Sequence, residues 1–473
     1  MNLVDKIREA GVVGAGGAGF PTHVKLHAQA EIFIINAAEC EPLIETDKYL
    51  CRSFPEEIVQ AAVGIQKALG AKRLVIALKR KYQAEIEALQ RAAKALGVAV
   101  EFCQMESFYP AGDEQVMVEA VTGRVVSERN IPLSVGAVVD NVGTVLSVYE
   151  AMHDRPVTEK HLSVTGNVPR AEMLKAPIGT AVRDCLRALG VEPPYDLIVG
   201  GPMMGKLYTD DAQIDGLTVT KTTGNLLVLP KGHLLSQRAQ LPVSGMMRRA
   251  QSVCLQCRMC TEQCPRYRLG HSIEPHKIMR AVFCEAQVQE PATYERLFGQ
   301  AVNCSECGLC ESYSCPMGLS PRRVNQFLKG RLRTLGISVP KKESAGKREA
   351  GLYGRAETER LTARLGLAPY AKHAGNDCKD IFPHEVRISF SQHIGAVAVP
   401  VCREGDWIEK GALLADIPEG ALGAKIHASV SGKLLHIDEK GALIVCAPAE
   451  QKIAAQRAAA KMQGTEAKGE GLS

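Results

Sequence analysis

The 473-residue chain is 46% hydrophobic with a net charge of +5, so it can build several cores and lacks the basic excess that nucleic acid selects. No apolar run reaches membrane-spanning length, since the best, "IPLSVGAVVDNVGTVLSVY", is broken by Asp140 and Asn141. The N-terminal "MNLVDKIREAG" mixes acids and bases and reads as a short amphipathic helix rather than a signal peptide, so the expected setting is the cytoplasm.

In chain order, "EIFIIN" (31–36) is a buried strand by its apolar run. "SFPEEIVQAAVGIQKALG" is a helix, opened by a capping box of Ser53 and Glu56 and stopped at Gly70. "RLVIAL" (73–78) is a strand, "YQAEIEALQRAAKALG" a helix ending at Gly97, and "VAVEFC" (98–103) a strand. This β-α-β-α-β order predicts a parallel, Rossmann-like sheet covered by helices. Residues 160–240 place short β segments around one helix (180–190), the pattern of a small β-grasp module. Residues 245–335 carry cysteines among helical stretches.

A Lys-, Arg- and Gly-rich stretch then reads as a connection with one helix. Short strands separated by "REGD", "EKG", "VSG" and "DEKG" predict a compact β barrel or sandwich. The expected fold is thus multidomain α/β: an α/β domain (1–155), a β-grasp module (156–243), a ferredoxin-type helical domain (244–335), a linker (336–384), a barrel-sandwich domain (385–448) and a tail (449–473) read as a short helix followed by disorder.

Eight of the sixteen cysteines fall into two runs. Cys254, Cys257, Cys260 and Cys264 give C-x2-C-x2-C-x3-C-P; Cys304, Cys307, Cys310 and Cys315 give C-x2-C-x2-C-x4-C-P. Structural zinc takes two separated pairs of ligands, and disulfides suit small secreted chains. Three thiolates at this spacing wrap one corner of a 4Fe–4S cubane, and in two-cluster ferredoxins the fourth cysteine serves the other cluster. The expected ligand sets are Cys254, Cys257, Cys260 and Cys315, and Cys304, Cys307, Cys310 and Cys264. Cys103, Cys185, Cys284 and Cys446 lie in apolar surroundings and read as small core residues. Cys51, Cys378 and Cys402 receive no assignment.

"GVVGAGGAGFPTHVK" (11–25) holds five glycines in nine positions, and Gly14, Gly16 and Gly19 spell G-x-G-x-x-G. A dinucleotide fingerprint needs a strand before it and a helix after it. Only "VV" precedes this loop and Pro21 follows almost at once, so the match is to the wrong motif. What remains is a glycine-dense loop whose amides can approach a phosphate or a flat ring, with Lys25 as a countercharge.

These residues resemble a known family. "GAGGAGFPTHVK" is similar to the glycine-rich loop of the NADH-binding flavoprotein subunit of respiratory complex I. It is closer to the C subunits of Rnf electron-transport complexes and to the cobalamin reductases of propanediol utilisation. "INAAECEP" (35–42) resembles their flavin-contacting strand end, which implies cofactor positions at Asn36, Glu39 and Glu41. "YPAGDE" (109–114) implies Gly112, Asp113 and Glu114, and "DNVGT" (140–144) implies Asn141 and Thr144. Together with Gly14, Gly16, Gly17, Gly19 and Lys25 these form the implied FMN pocket, over which NADH stacks. "GGPMMG" (200–205) and "HASVSG" (427–432) resemble the Rnf and cobalamin-reductase branch, where the second module is of SLBB type. Ala15, Ala38 and His23 stand where the complex I pattern has arginine, aspartate and glycine. Cys40 reads as a pocket-wall thiol, and Glu39 and Glu41 as a binding edge, since ligands of parallel sheets sit at strand carboxyl ends.

The C-terminal module also resembles biotinyl and lipoyl carriers. The position of a carrier lysine falls near Ala421, and Lys425 is four residues off, so a structural or docking module is expected. Domain order follows the cobalamin reductases, where the barrel comes last, rather than the Rnf branch. The resemblance implies an NADH-dependent flavin and iron–sulfur oxidoreductase that reduces cobalamin, reactivating a cobalamin-dependent dehydratase in a bacterial microcompartment. Its implied cofactors are FMN, NADH and two 4Fe–4S clusters, with no catalytic side chain proper. Its implied partners are cobalamin or a cobalamin-handling protein, and microcompartment shell or membrane electron-transfer subunits. The rival readings are an Rnf-C-like subunit that passes electrons to a partner protein and a non-enzymatic ferredoxin-like adaptor. The chain has no Asp-x-His-x-x-Gly motif for base-off cobalamin.

Overall fold

The computed structural model describes residues 1–17, 19–349 and 354–447; the expected tail (449–473) lies outside them. The first domain is built on strands β1 (Ile32–Asn36), β2 (Arg73–Lys79), β3 (Glu101–Met105) and β5 (Ala137–Asn141), all parallel, in the order β3-β2-β1-β5. A short β4 (Phe108–Tyr109) stands outside this sheet. Side chains alternate across a strand with period two. Phe33, Ile35, Leu74, Ile76, Leu78 and Val138 therefore enter one core, while Ile32, Ile34, Val75, Ala77, Ala137 and Val139 enter the other. Continuous apolar runs are what burial on both faces demands. Each fully buried Ile or Phe contributes roughly 1.5–3 kcal/mol.

Helices α1 (Leu3–Glu9), α2 (Thr22–Lys25), α3 (Thr46–Ser53), α4 (Pro55–Leu69), α5 (Gln83–Ala95), α6 (Glu114–Thr122) and α7 (Val142–Met152) complete the domain. The α4 residues Ile58, Ala62 and Ile65 fill the first core, and Met117 and Val118 of α6 the second. The expected capping box does not form. Ser53 ends α3, Phe54 is an N-cap without a side-chain bond, and Pro55 opens α4. A proline at the first helical position has its φ preset and no N–H to satisfy, so the helix starts there. Gly70 closes it in the left-handed conformation, φ +63°.

The second module is a mixed six-stranded sheet around α8 (Val182–Arg187), followed by a short α9 (Asp211–Asp215). Its strands β6 (Glu159–Gly166), β7 (Glu172–Pro177), β8 (Tyr195–Val199), β9 (Lys206–Tyr208) and β10 (Asn225–Pro230) are joined by one from far along the chain. The third is helical: α10 (Leu234–Gln240), α11 (Val243–Val253), α12 (Met259–Glu262), α13 (Pro265–Arg268), α14 (Pro275–Ala281), α15 (Pro291–Phe298) and α16 (Pro321–Thr334).

The stretch expected as a linker with one helix does more than connect. Its β11 (Ala356–Glu357) pairs antiparallel with β4, and its β12 (Cys378–Asp380) is the sixth strand of the second sheet, parallel to β7. Between them, α17 (Thr358–Arg364) and the turn after it bury Leu361, Leu365 and Leu367 against Tyr109, Ile198, Met203 and Leu309. The stretch is a strap across three modules.

The last module closes two sheets over one core: β13 (Glu385–Ser389), β15 (Trp407–Ile408), β18 (Gly432–Asp438) and β19 (Gly441–Cys446) in one, and β14 (Val399–Pro400), β16 (Leu413–Asp416) and β17 (Ile426–His427) in the other. Lys425 is paired with Glu9 and Asp416 with only 14% of its side chain exposed, unlike a carrier lysine on an open hairpin. Among the described residues no helix is long and apolar enough to cross a membrane.

Candidate functional site

Strand order reverses between β1 and β5, whose last residues, Asn36 and Asn141, are register partners. Open α/β sheets bind ligands outside such a switch point. The glycine loop lies here. A bridge between Val13 and Pro21 and a hydrogen bond from Gly14 N–H to the Phe20 carbonyl (2.8 Å) close it on itself. The loop is thus not a strand-turn-helix fingerprint. Ala15 N–H donates to Thr144 Oγ1 (2.9 Å), and a Cβ on Gly16 would touch Asn141 Cβ at 3.6 Å, so the loop rests on the start of α7.

The glycines have separate tasks. Gly19, φ +67°, packs against Thr222 and the backbone of Gln392 and His393, where a Cβ would crowd the neighbouring modules. Gly17, φ +109°, is exposed with nothing within 4 Å of a built Cβ, which leaves backbone open for a flat or anionic ligand.

The other expected residues converge on the same edge. Asn36 donates Nδ2–H to the Gly112 carbonyl (2.9 Å) and accepts from Ala38 N–H (3.1 Å), fixing the β1 end against "YPAGDE". Gly112 is required there because a Cβ would fall 2.9 Å from the Ala38 carbonyl. Asn141 caps α7 through Gly143 N–H (2.9 Å) and donates to Asp47 Oδ2 (2.7 Å). Burial, with Glu39 nearby, pushes the Asp47 carboxyl up to about 7. Lys25 bonds the Val139 carbonyl and Asp140 (3.0 Å), with Glu114 at 3.7 Å, and so secures the end of β5 at this edge. Burial pulls against its charged form, but these carboxylates hold its pKa above the ordinary lysine value.

Glu41 accepts the amides of Met203 (2.9 Å) and Met204 (3.0 Å), so "GGPMMG" of the second module caps the strand end. Burial raises the Glu41 carboxyl to about 8, against the pull of those two amides. Glu39 accepts from Glu41 N–H (3.0 Å), and burial lifts it as well. The Cys40 thiol is raised far out of the reactive range by burial, the behaviour of a wall residue.

The eight clustered cysteines sit in the helical module. Cys254, Cys257, Cys260 and Cys315 line one hollow with Pro316. Cys264 instead lies within electrostatic reach of Cys304, and Cys307 within reach of Cys264 and Cys304. Among the described residues no three acids, histidines or cysteines are gathered tightly enough for a single ion, whereas a cubane spreads its thiolates. The backbone suits that donor set. Gln256 and Arg258 in one run, and Glu306 and Gly308 in the other, take positive φ at matching places (56°, 67°, 61° and 78°). These left-handed positions bend each run at matching places, and polar groups in and beside the runs meet sulfur. Gln256 Nε2–H reaches Cys254 Sγ (3.1 Å), Glu306 N–H reaches Cys304 Sγ (3.4 Å), and Leu319 N–H reaches Cys315 Sγ (3.4 Å).

Of the other cysteines, Cys51, Cys185 and Cys446 are buried, and Cys103 and Cys284 are only half-buried rather than core residues. Three groups that sequence reasoning missed join the flavin-type edge to the clusters. Arg266 forms a fork with Asp113, Tyr109 donates to the Cys307 carbonyl (2.6 Å), and Arg322 donates to the Met203 carbonyl (2.6 Å) while pairing with Glu311. The only signal for Arg266 was its place after Cys264-Pro265.

Residues 7–150 match the Nuo51 FMN-binding domain, residues 253–320 the 4Fe-4S dicluster domain, and residues 364–447 the RnfC barrel sandwich hybrid domain. Flavin-binding and dicluster domains in one chain define a flavin and iron–sulfur electron-transfer protein, an oxidoreductase. The chain is 41% identical over 454 residues to the cobalamin reductase PduS of Citrobacter freundii, covering 94% of this chain and 96% of that one. It is 42% identical over 445 residues to the cobalamin reductase PduS of Salmonella typhimurium, covering 93% and 96%. It belongs to the PduS cobalamin reductase family. A shorter stretch of 282 residues is 32% identical to the C subunit of the ion-translocating oxidoreductase complex of Vibrio cholerae, covering 58% of this chain and 34% of that one.

Proposed function

We propose that this protein takes electrons from NADH and passes them through FMN and two 4Fe–4S clusters to a corrinoid, reactivating a cobalamin-dependent dehydratase within a bacterial microcompartment. The observation that carries the electron route is the fork between Asp113, in the "YPAGDE" stretch at the flavin-type edge, and Arg266, two residues beyond Cys264. FMN, when bound, exchanges electron pairs with a dinucleotide and single electrons with iron–sulfur clusters.

The chain's own part is to hold and orient. Gly17, with Gly16 beside it, presents open backbone to the flavin, Gly14 and Gly19 fix the loop, and Asn36, Gly112, Asn141 and Thr144 keep the switch point in shape. Glu39 and Glu41 form the acidic edge beside it. The cluster ligands are Cys254, Cys257, Cys260 and Cys315 in one set, and Cys264, Cys304, Cys307 and Cys310 in the other. The first domain is Rossmann-like and the second module is of SLBB β-grasp type, its "GGPMMG" loop fastening Glu41.

Anaerobic NADH oxidation with cob(II)alamin or cob(III)alamin as sole acceptor, beside viologen dyes and a ferredoxin, tests the reading. Turnover with the corrinoid is expected; fast dye reduction without it would move the acceptor to a protein. That second reading, an Rnf-C-like entry subunit, is favoured by the surface of the last module. There Val399, Val401 and Trp407 are 55%, 56% and 58% exposed.

A further inference from the structure

A cleft of about 780 Å³ opens beside the carboxyl end of β2, walled by the segment after β1, by α3, by Tyr82 and by the strap. Most of its cations are matched: Lys48 with Glu45, Arg52 with Glu85, and Lys81 with Glu359. Lys79 is not. It is 1% exposed and lines the cleft, yet its ammonium has one hydrogen-bond partner, the neutral hydroxyl of Thr358 at 3.1 Å, with the Tyr82 ring centred 5.8 Å away.

An ammonium carries three donors, and burying it with donors unused is costly unless something else supplies acceptors. Burial draws the Lys79 pKa down to about 8, partly resisted by Glu39, so at neutral pH it still carries charge. Glu39 lines the same cleft and supplies an acceptor, whereas both oxygens of Glu41 are taken by the Met203 and Met204 amides. The cleft therefore pairs a buried cation with an acceptor for amide or hydroxyl donors.

We infer that this cleft binds a ligand through a phosphodiester or pyrophosphate anion, with Lys79 and Thr358 meeting the phosphate and the Glu39 edge meeting amide or hydroxyl groups. Two molecules of the proposed reaction carry that chemistry: a dinucleotide through its pyrophosphate, and a corrinoid through the phosphodiester of its nucleotide loop. The inference rests on the proposed function for these two sources.

The test uses full-length protein loaded with flavin and clusters, as wild type, Lys79→Gln and Lys79→Arg, each checked for flavin and iron content. Equilibrium binding is measured for cobalamin, for cobinamide (the same ring without the phosphodiester), for NADH and for inorganic pyrophosphate. Lys79→Gln is expected to weaken one of the two phosphate-bearing ligands, cobalamin or NADH, about tenfold, the loss of a charge-assisted hydrogen bond. Cobinamide should be unaffected, and Lys79→Arg should keep most of the affinity. Loss for cobalamin assigns the cleft to the corrinoid; loss for NADH assigns it to the dinucleotide. Equal affinities of wild type and Lys79→Gln for cobalamin, NADH and pyrophosphate would overturn the inference. If Lys79→Gln lacks flavin or iron, Thr358→Val takes its place under the same criterion. Absence of cobalamin turnover by the wild type would defeat the proposed function, whereas these binding comparisons stand apart from it.

Discussion

Asp113 and Arg266, 153 positions apart, face each other through two hydrogen bonds of 2.8 Å with side chains only 14% and 12% exposed. A bidentate guanidinium–carboxylate pair fixes direction as well as distance. It welds the N-cap of α6 to α13, the short helix that Cys264 caps. Removing one member of a buried pair leaves the other charge uncompensated, at about 3–5 kcal/mol. Arg266→Ala is therefore expected to lose that much stability in denaturant unfolding. In stopped-flow absorbance it should reduce flavin normally while cluster reduction lags. Clusters that follow flavin as in wild type would refute the electron route.

The same pair makes an acid-side prediction. Burial alone would raise the Asp113 carboxyl, but the Arg266 charge and hydrogen bonds hold it below the ordinary value. A depressed acid contributes stability above its unfolded pKa and loses it as pH falls through the folded one. The stability difference between wild type and Asp113→Asn should thus shrink as pH drops below about 4.

The cysteine sets predict a crossed phenotype. Cys315→Ser should remove the cluster of Cys254, Cys257 and Cys260, and Cys264→Ser the cluster of Cys304, Cys307 and Cys310. Iron analysis should fall by about half in each, with different signals surviving in electron paramagnetic resonance. If Cys315→Ser instead abolished the signal that Cys304→Ser abolishes, each run would ligate its own cluster.

Gly17 combines φ +109° with open space. Gly17→Val should cut flavin content severalfold, because an L residue is strained there and its side chain would occupy the approach to the loop. Cluster content should be unchanged. Full flavin occupancy in the purified variant would remove the loop from the pocket.

Lys221 is 3% exposed and donates to the carbonyls of Gly11 and Lys425, each 2.6 Å away, so it ties three modules. Burial lowers its pKa from 10.5 to about 7. Between those values the unfolded chain holds a proton that the folded chain has shed, so this group makes stability rise with pH across that window. Urea midpoints should climb more from pH 7 to pH 9 in wild type than in Lys221→Met. Equal slopes would mean that Lys221 keeps its proton, with an ordinary lysine pKa, in the folded protein.

What the sequence determined by itself was whatever is local in the chain. The C-x2-C-x2-C spacing confines three sulfurs to one loop, and so it announced the cluster domain. The two-sided apolar runs of "IFII" and "LVIAL" announced a parallel sheet, because only strands buried on both faces carry them. The 53–56 boundary misled because Pro55 and the Ser–Glu pair compete for one helix start, and proline's fixed φ prevailed. The tertiary structure decided everything that depends on partners far apart. Strand order made Asn36 and Asn141 neighbours, and packing assigned the charge of Lys25 to Asp140. The stretch around 356–380 became a strap because β4 and β7 had edges to offer it, which no composition reveals. Lys79 ends an apolar strand like any surface lysine in the one-letter string. Only the strap, laying Thr358 against it, buries its ammonium and gives the cleft its cation.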